Sequence, residues 1–316
     1  MERKLNNNIT ILRDAAIVCI VMHHVLYAFH NWPAQYTIGT QLPIGLLYAI
    51  PILRHIGLAC FTFISGYVLY YQSKKEITYN LLLINKIRRL IIPCVVYALL
   101  YWSAFSSCLT NNDAINGTHL WYLPMIFLCC CILATSFYTR YYIVVIAFFY
   151  ILFRIVGQFY YVKTFASFCE FIPVFYMGYL FNKYSIEDKF NSITSTMYGV
   201  VIILLSILLG LCNIQHVYTI QMCLTSIGAY LIICGAFNKK TCSFIDLIAK
   251  HSFTIYLLHE FVICTIVMHI DLSHINVTFS IVMLFCLAFF FPIVFSQIYG
   301  NIKEKLFFYV QNREIK

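Results

Sequence analysis

The stretch that decides the fold is Arg13-Asp-Ala-Ala-Ile-Val-Cys-Ile-Val-Met-His23-His24, an apolar run whose polar residues stand at its two ends. On an α-helix, the eleven steps from Arg13 to His24 turn about 1100° and rise about 16 Å. These two side chains are therefore expected on one helix face at two depths, with His23 about 100° further round. Ionisable groups inside a membrane span are costly and face the bundle interior, so both are candidate functional residues.

The composition of the whole chain points the same way. Of its 316 residues, 62% are hydrophobic and only 10% are charged, whereas soluble domains carry about 25% charged residues. Runs of about 20 apolar residues recur throughout, which is typical of helices that cross a membrane. The sequence predicts an all-α membrane protein, a single domain over residues 1–316 folded as a polytopic bundle of ten transmembrane helices. The predicted spans are 9–29, 54–72, 90–108, 120–139, 141–157, 166–182, 197–213, 217–237, 251–270 and 277–299.

The basic residues indicate the orientation in the lipid bilayer. All Lys and Arg residues except Arg54, Arg154 and Lys163 fall on one side of the predicted spans, and the positive side is the cytoplasmic side. Both termini are therefore expected in the cytoplasm, and the protein in the cytoplasmic (inner) cell membrane. Because topology explains where the basic residues lie, the net charge of +9 does not indicate a nucleic-acid partner. The longest connection, 30–53, has room for a short interfacial helix.

The 14 cysteines lie mostly inside predicted spans. A buried cysteine is most simply a small hydrophobic residue, and no pair has the spacing of a metal site. Cys108, Cys169 and Cys212 fall near span ends on one side, which leaves a disulfide there open.

A basic cluster stands at the cytoplasmic mouth of the third span. Lys86, Arg88 and Arg89 precede the Leu-Ile-Ile-Pro run at 90–93. The charge alone is typical of a loop that binds anionic lipid. The alternative is a site for a phosphorylated cytoplasmic ligand, because the planar guanidinium fork suits phosphate. Arg13 is expected at the same depth and would complete such a site.

Other polar residues are expected toward the outer side. Arg54 opens the second predicted span, and His119 and Trp121 open the fourth. Since His24 falls in the outer half of its span, Arg54, His119 and Glu170 are its candidate neighbours in depth. Trp121 is interpreted either as an interfacial anchor or as a site residue.

Two further motifs lie on later spans. Within Phe-Ile-Ser-Gly-Tyr at 63–67, a close helix contact through Gly66 is favoured over direct chemistry by Ser65. His259 and Glu260 fall mid-span, but the His-Glu-x-x-His pattern of zinc proteases is absent because residue 263 is Ile.

Taken together, these motifs resemble the acyltransferase-3 family of integral membrane O-acyltransferases. The matching residues, in the family's order, are Arg13 with His24, Phe61 to Tyr67, Lys86 with Arg88 and Arg89 before Pro93, Leu120 to Leu123, and Ile255 to His259. The chain is most similar to short stand-alone members, which acetylate bacterial surface glycans or succinylate poly-N-acetylglucosamine. It departs from the family at 58–60, where Leu-Ala-Cys replaces a frequent proline.

The resemblance implies a reaction. The donor would be a cytoplasmic acyl-CoA, usually acetyl-CoA, acting as a co-substrate with no permanently bound cofactor. Its phosphates would meet Arg13 and the cluster of Lys86, Arg88 and Arg89. Arg13 and Asp14 join His24 as catalytic candidates, and Asp14 would pair with Arg13 or with another basic group nearby, which would offset the cost of burial. The acceptor would be a hydroxyl of a cell-surface polysaccharide or a lipid-linked sugar. His24 would act either as general base or through a covalent acyl-histidine. Further active-site and acceptor candidates are His23, Arg54, Ser65, His119, Trp121, Tyr256, His259 and Glu260.

Two other functions fit the same composition. One is a transporter or exporter of a glycan or an acyl intermediate, although the paired half-repeats common in transporters are not evident. The other is an inactive relative with a sensing or scaffolding role. The sequence predicts neither an oligomeric state nor the identity of the acyl group and the sugar.

Overall fold

The computed structural model describes residues 7–30, 38, 41–73, 78–105, 119–135, 141–159, 163–211, 217–237 and 242–314, and no strand occurs among them. The helices are α1 (Asn7–Tyr27), α2 (Ile44–Ser73), α3 (Tyr79–Lys86), α4 (Ile92–Phe105), α5 (Tyr122–Ala134), α6 (Tyr142–Phe159), α7 (Lys163–Lys183), α8 (Ser192–Leu211), α9 (Tyr218–Phe237), α10 (Ser243–His269) and α11 (Val277–Glu314). A π-helical turn, Ile87–Ile91, joins α3 to α4, and a 3₁₀ turn, His119–Trp121, leads into α5.

Seven of the described helices are long and apolar enough to cross a membrane, namely α1, α2 and α7 to α11. The segments His119–Ala134 and Ile143–Val156 are shorter apolar helices. The prediction of an all-α, multi-pass membrane protein is therefore confirmed. The count of ten spans and the cytoplasmic location of both termini stay predictions.

Helix α2 differs from the predicted second span. It begins at Ile44, ten residues before Arg54, so Arg54 lies inside the helix rather than opening it. The expectation that Arg54 stands at the start of the helix was wrong. Pro51 interrupts one helical hydrogen bond but does not end the helix, as is common in membrane helices. The early turns carry the exposed apolar residues Ile44, Tyr48 and Ile52. The room reserved for an interfacial helix is thus occupied by the first turns of α2.

The chain forms two compact units, whose boundaries pass through α1 and α2. The first unit contains residues 1–16 and 55–241, and the second contains residues 17–54 and 242–316. In the second unit, α10 packs along α11.

Two glycines permit a close helix approach in the first unit. A Cβ atom added to Gly66 on α2 would collide with the backbone carbonyl of Phe175 on α7, and one added to Gly178 would collide with that of Phe63. Neither residue can carry a side chain without moving a helix backbone. The interpretation of Gly66 as a helix-packing residue is therefore confirmed.

Hydrogen bonds reinforce another helix pair of the first unit. On α8, the Ser206 hydroxyl donates to the carbonyl of Gln221 (3.1 Å) and lies 2.7 Å from the hydroxyl of Thr225 on α9. Since Ser206 donates its one proton to that carbonyl, Thr225 is the donor toward Ser206. Side-chain hydrogen bonds of this kind hold membrane helices together.

Candidate active site

Two histidines from distant parts of the chain meet in the second unit. The Nε2 atom of His259 on α10 lies 3.2 Å from the Nδ1 atom of His24 on α1, and the ring centroids are 4.9 Å apart. Each Nδ1 atom also faces a backbone carbonyl one turn earlier on its own helix. That carbonyl belongs to Ile20 for His24 (3.0 Å) and to Ile255 for His259 (2.9 Å).

These contacts assign the protons of the pair. A carbonyl oxygen only accepts hydrogen bonds, so both Nδ1 atoms carry a hydrogen. In the neutral His259 ring, Nε2 then holds a lone pair, and the one Nδ1–H of His24 is shared between the Ile20 carbonyl and this Nε2. The basic nitrogen of neutral His24 is consequently Nε2. With its hydrogen on Nδ1, His24 has a lone pair on Nε2, and a general base needs such a lone pair to accept a proton.

Burial gives the two rings different roles. His259 is fully buried and His24 is half-buried. Tyr256, in the same motif, lies with its ring 6.1 Å from that of His259. The Ile-Tyr-Leu-Leu-His motif thus supplies both the second histidine and the carbonyl that fixes its proton. The more accessible ring, His24, is the one placed to meet a substrate.

His23 has different surroundings from its neighbour. Its Nδ1–H donates to the carbonyl of Ile50 on α2 (3.0 Å), and its ring stacks on Tyr27 at 5.4 Å. The charges of Arg54 and Glu260 both act electrostatically on His23. Arg54 is exposed, whereas Glu260 is buried. The rings of the two histidines meet edge to face with their centroids 4.8 Å apart, but their Nδ1 atoms bond to different partners.

Arg13 and Asp14 lie on α1 in the first unit. Arg13 is half-buried and Asp14 is buried, and the carboxylate acts electrostatically on the guanidinium. The Nε atom of Arg13 is buried and meets no hydrogen-bond acceptor within the described part of the chain. A buried guanidinium donor of this kind fits an anionic ligand group.

The basic cluster divides into two parts. The Lys86 side chain is half-buried and hydrogen-bonds with the buried Cys130 of α5. Arg88 and Arg89 are exposed on the π-helical turn, a type of turn frequent at functional sites. Arg88 and Arg89 are therefore better placed than Lys86 to bind a soluble ligand.

The other candidate residues of the first unit, Ser65, His119 and Trp121, make contacts typical of helix packing. The Ser65 hydroxyl donates to the Phe61 carbonyl within α2 (2.9 Å). His119 is buried, with its ring 5.9 Å from that of Tyr101. Trp121 is also buried and packs on Phe171, as a core residue does and an interfacial anchor does not.

Sequence reasoning missed Tyr122, the neighbour of Trp121. Its hydroxyl lies 3.1 Å from that of Thr62 on α2, and Thr62 donates to the Leu58 carbonyl (2.8 Å). Tyr122 is therefore the donor in this buried contact between α2 and α5. The Leu-Trp-Tyr-Leu motif contained the signal, but it did not indicate the partner.

Three other expectations concern cysteine and acidic residues. Cys169 is a free, buried thiol, while Cys108 and Cys212 lie outside the described residues, so the open disulfide is not tested. Glu170 is exposed on α7 in the first unit. No group of three or more His, Cys, Asp or Glu residues that could hold a metal occurs in the part of the chain that the structure describes.

Comparison with known proteins gives one match. A family model described as an acyltransferase domain, of the acyltransferase-3 type, matches residues 6–299, which is nearly the whole chain. Searches of curated proteins and of solved structures gave no match. The matched range contains Arg13, both histidines of α1 and the His259 motif, and on this evidence the chain belongs to the acyltransferase-3 family of membrane acyltransferases.

Proposed function

We propose that the protein transfers an acyl group, most simply acetyl, from cytoplasmic acyl-CoA to a hydroxyl of a cell-surface polysaccharide or a lipid-linked sugar. The observation that carries this proposal is the hydrogen-bonded pair of His24 and His259, which fixes the basic nitrogen of a half-buried imidazole. Family membership supports acyl transfer in general.

The donor would bind through its phosphates. The Arg13 guanidinium has a buried donor available for an anion, and Arg88 and Arg89 present two exposed guanidinium forks. Arg13 and His24 lie eleven residues apart on the continuous helix α1, which corresponds to a rise of about 16 Å.

The transfer itself needs a base, because a sugar hydroxyl is a poor nucleophile at neutral pH. Nε2 of His24 takes the hydroxyl proton while the oxygen attacks the thioester carbonyl carbon. The C–S bond then breaks, and the departing thiolate takes the proton from His24 to give free CoA. Nε2 of His259 accepts a hydrogen bond from Nδ1–H of His24. This bond stabilises the positive charge that the His24 ring carries between the two steps. In the covalent alternative, Nε2 of His24 attacks the thioester carbonyl carbon and the C–S bond breaks to release the CoA thiolate. The acceptor oxygen then attacks the acyl-histidine, the C–N bond breaks to restore the neutral ring, and the hydroxyl proton goes to the thiolate.

The direct test is ester formation by the purified protein in detergent, where no compartments exist. We expect radiolabel from acetyl-CoA to enter cell-envelope glycans as an alkali-labile ester, and this product to be lost in His24→Ala. His269→Ala is the matched control, because His269 makes the same one-turn bond to Thr265 but is exposed at the end of α10. A transporter would form no ester under these conditions.

A further inference from the structure

We propose that Arg54 and His23 form an acceptor subsite in which Arg54 binds an anionic group, phosphate or carboxylate, next to the sugar hydroxyls. This inference rests on the proposed function, because it assigns these residues to the acceptor of that reaction. It separates the role of His23 from that of His24.

The position of Arg54 follows from the contact between His23 and α2. The His23 ring donates to the carbonyl of Ile50, and residues four apart on a helix lie on the same face, one turn from each other. Backbone carbonyls point toward the carboxyl end of a helix, which from Ile50 is the direction of Arg54. The Arg54 side chain therefore projects from α2 beside the turn whose carbonyl binds His23. This position agrees with the electrostatic effect of Arg54 on the His23 ring.

The position of Glu260 follows from the catalytic pair. Glu260 comes directly after His259, whose ring contacts His24, and its charge also acts on His23. Its carboxylate is buried, while Arg54 is exposed. Because Glu260 is buried and Arg54 is exposed, Arg54 is the charged residue near His23 that can present its donors to a ligand.

Arg54 is the cation nearest to the histidines among the described side chains of the second unit. Lys250 is the other Lys or Arg whose side chain is described in this unit, and it is exposed. It lies nine residues before His259 on α10, which is about 13 Å along the helix axis. Of these two described cations, Arg54 is therefore the one that can bind an anion near the histidines.

The chemistry of the subsite defines its ligand. Arginine presents a planar set of donors that matches phosphate or carboxylate. Because Nδ1–H of His23 is used by the Ile50 carbonyl, its Nε2 lone pair accepts from a donor such as a sugar hydroxyl. The fitting acceptor is a sugar that carries an anionic group, either the phosphate of a lipid-linked sugar or the carboxylate of an acidic sugar.

The experiment measures binding without acyl-CoA, so it does not depend on acyl transfer. The full-length protein in nanodiscs is titrated with glucose 1-phosphate, glucuronate and glucose. We expect the wild type to bind at least one of the two anions more tightly than glucose, and the stronger one identifies a phosphate or a carboxylate source. Arg54→Gln should weaken the binding of that anion at least tenfold and leave the binding of glucose unchanged. Arg54→Lys should have an intermediate affinity for the anion.

Two further variants separate a local role of Arg54 and His23 from a general effect of charge. Lys250→Gln removes an equal charge from the same unit and should bind every probe as the wild type does. His23→Phe keeps an aromatic ring against Tyr27 but loses the Nε2 atom that accepts from a sugar hydroxyl. This variant should therefore weaken the binding of all three probes. The proposal is overturned if the wild type binds no anion or prefers glucose, or if Arg54→Gln binds the anions normally. If His24→Ala kept wild-type acyl transfer while the anions bound normally, the proposed function would fail and the subsite would stand.

Discussion

The Nδ1 atom of His24 lies 3.2 Å from the Nε2 atom of His259, so two residues separated by 235 positions in the sequence form one hydrogen-bonded imidazole pair. The carbonyls of Ile20 and Ile255 determine where the protons lie, and the basic lone pair of His24 is left on Nε2. In the proposed reaction, His259 is a positioning residue for His24.

Replacing His259 should slow acyl transfer without weakening the binding of acyl-CoA. A hydrogen bond to a charged group contributes about 1.5–3 kcal/mol, which corresponds to roughly 10- to 100-fold in rate. We expect His259→Ala to lower kcat by about that factor with an unchanged KM for acyl-CoA. His259→Gln should retain more activity, because its amide oxygen can accept from Nδ1–H of His24. Equal activity of His259→Ala and the wild type would show that the pair has no catalytic role.

The proposed binding of donor phosphates by the arginines can be tested with a donor that lacks phosphate. Arg13→Gln, and the double variant Arg88→Gln with Arg89→Gln, should raise the KM for acetyl-CoA at least tenfold. The same variants should use S-acetylpantetheine as the wild type does, since that donor offers no phosphate to the guanidinium groups. Steady-state kinetics with both donors gives the comparison. An equal loss with both donors would indicate a structural defect instead.

The contact between α2 and α7 predicts an unusual effect of alanine. In a helix, Gly→Ala normally stabilises by about 1 kcal/mol, but a methyl group at Gly66 would collide with the Phe175 carbonyl. We expect Gly66→Ala to lower the midpoint of thermal unfolding in detergent. Gly45, on the same helix, has no atom within 4 Å of an added Cβ, so Gly45→Ala is the control and should not lower the midpoint. An unchanged midpoint in Gly66→Ala would contradict the observed packing.

The predicted topology can be tested at the two ends of α10. Cys242 precedes α10 and Ser273 follows it, and both are exposed. With cytoplasmic termini and ten spans, a membrane-impermeant maleimide added to intact cells should label the S273C variant at position 273. Cys242 should react only after permeabilisation. Mass spectrometry of the labelled peptides identifies the site, and the opposite pattern would invert the orientation.

Local features of the chain were predictable because they depend on helix geometry and polarity alone. The Arg13-to-His24 run indicated one membrane helix, and α1 contains both residues. Gly66 indicated a close helix contact, which the structure shows. The motif order indicated the family, and the family match confirms it.

Features that depend on packing between helices were not predictable. Nothing in either local sequence indicates that His259 contacts His24, or that Tyr122 contacts Thr62, because many apolar helix faces could meet one another. The start of α2 was placed ten residues too late, and both Pro51 and the charged Arg54 lie inside the helix. A membrane helix accommodates both when the rest of its backbone remains hydrogen-bonded.

The most direct test of the catalytic assignment is the single-turnover rate of ester formation with purified His24→Ala and wild-type protein, together with the Kd for acetyl-CoA. We expect the rate to fall by about 10² to 10⁴ and the Kd to stay unchanged, because Arg13 and the exposed arginines still hold the donor. A wild-type rate in His24→Ala, or a loss explained entirely by weaker acetyl-CoA binding, would contradict the role of His24 as the reacting histidine.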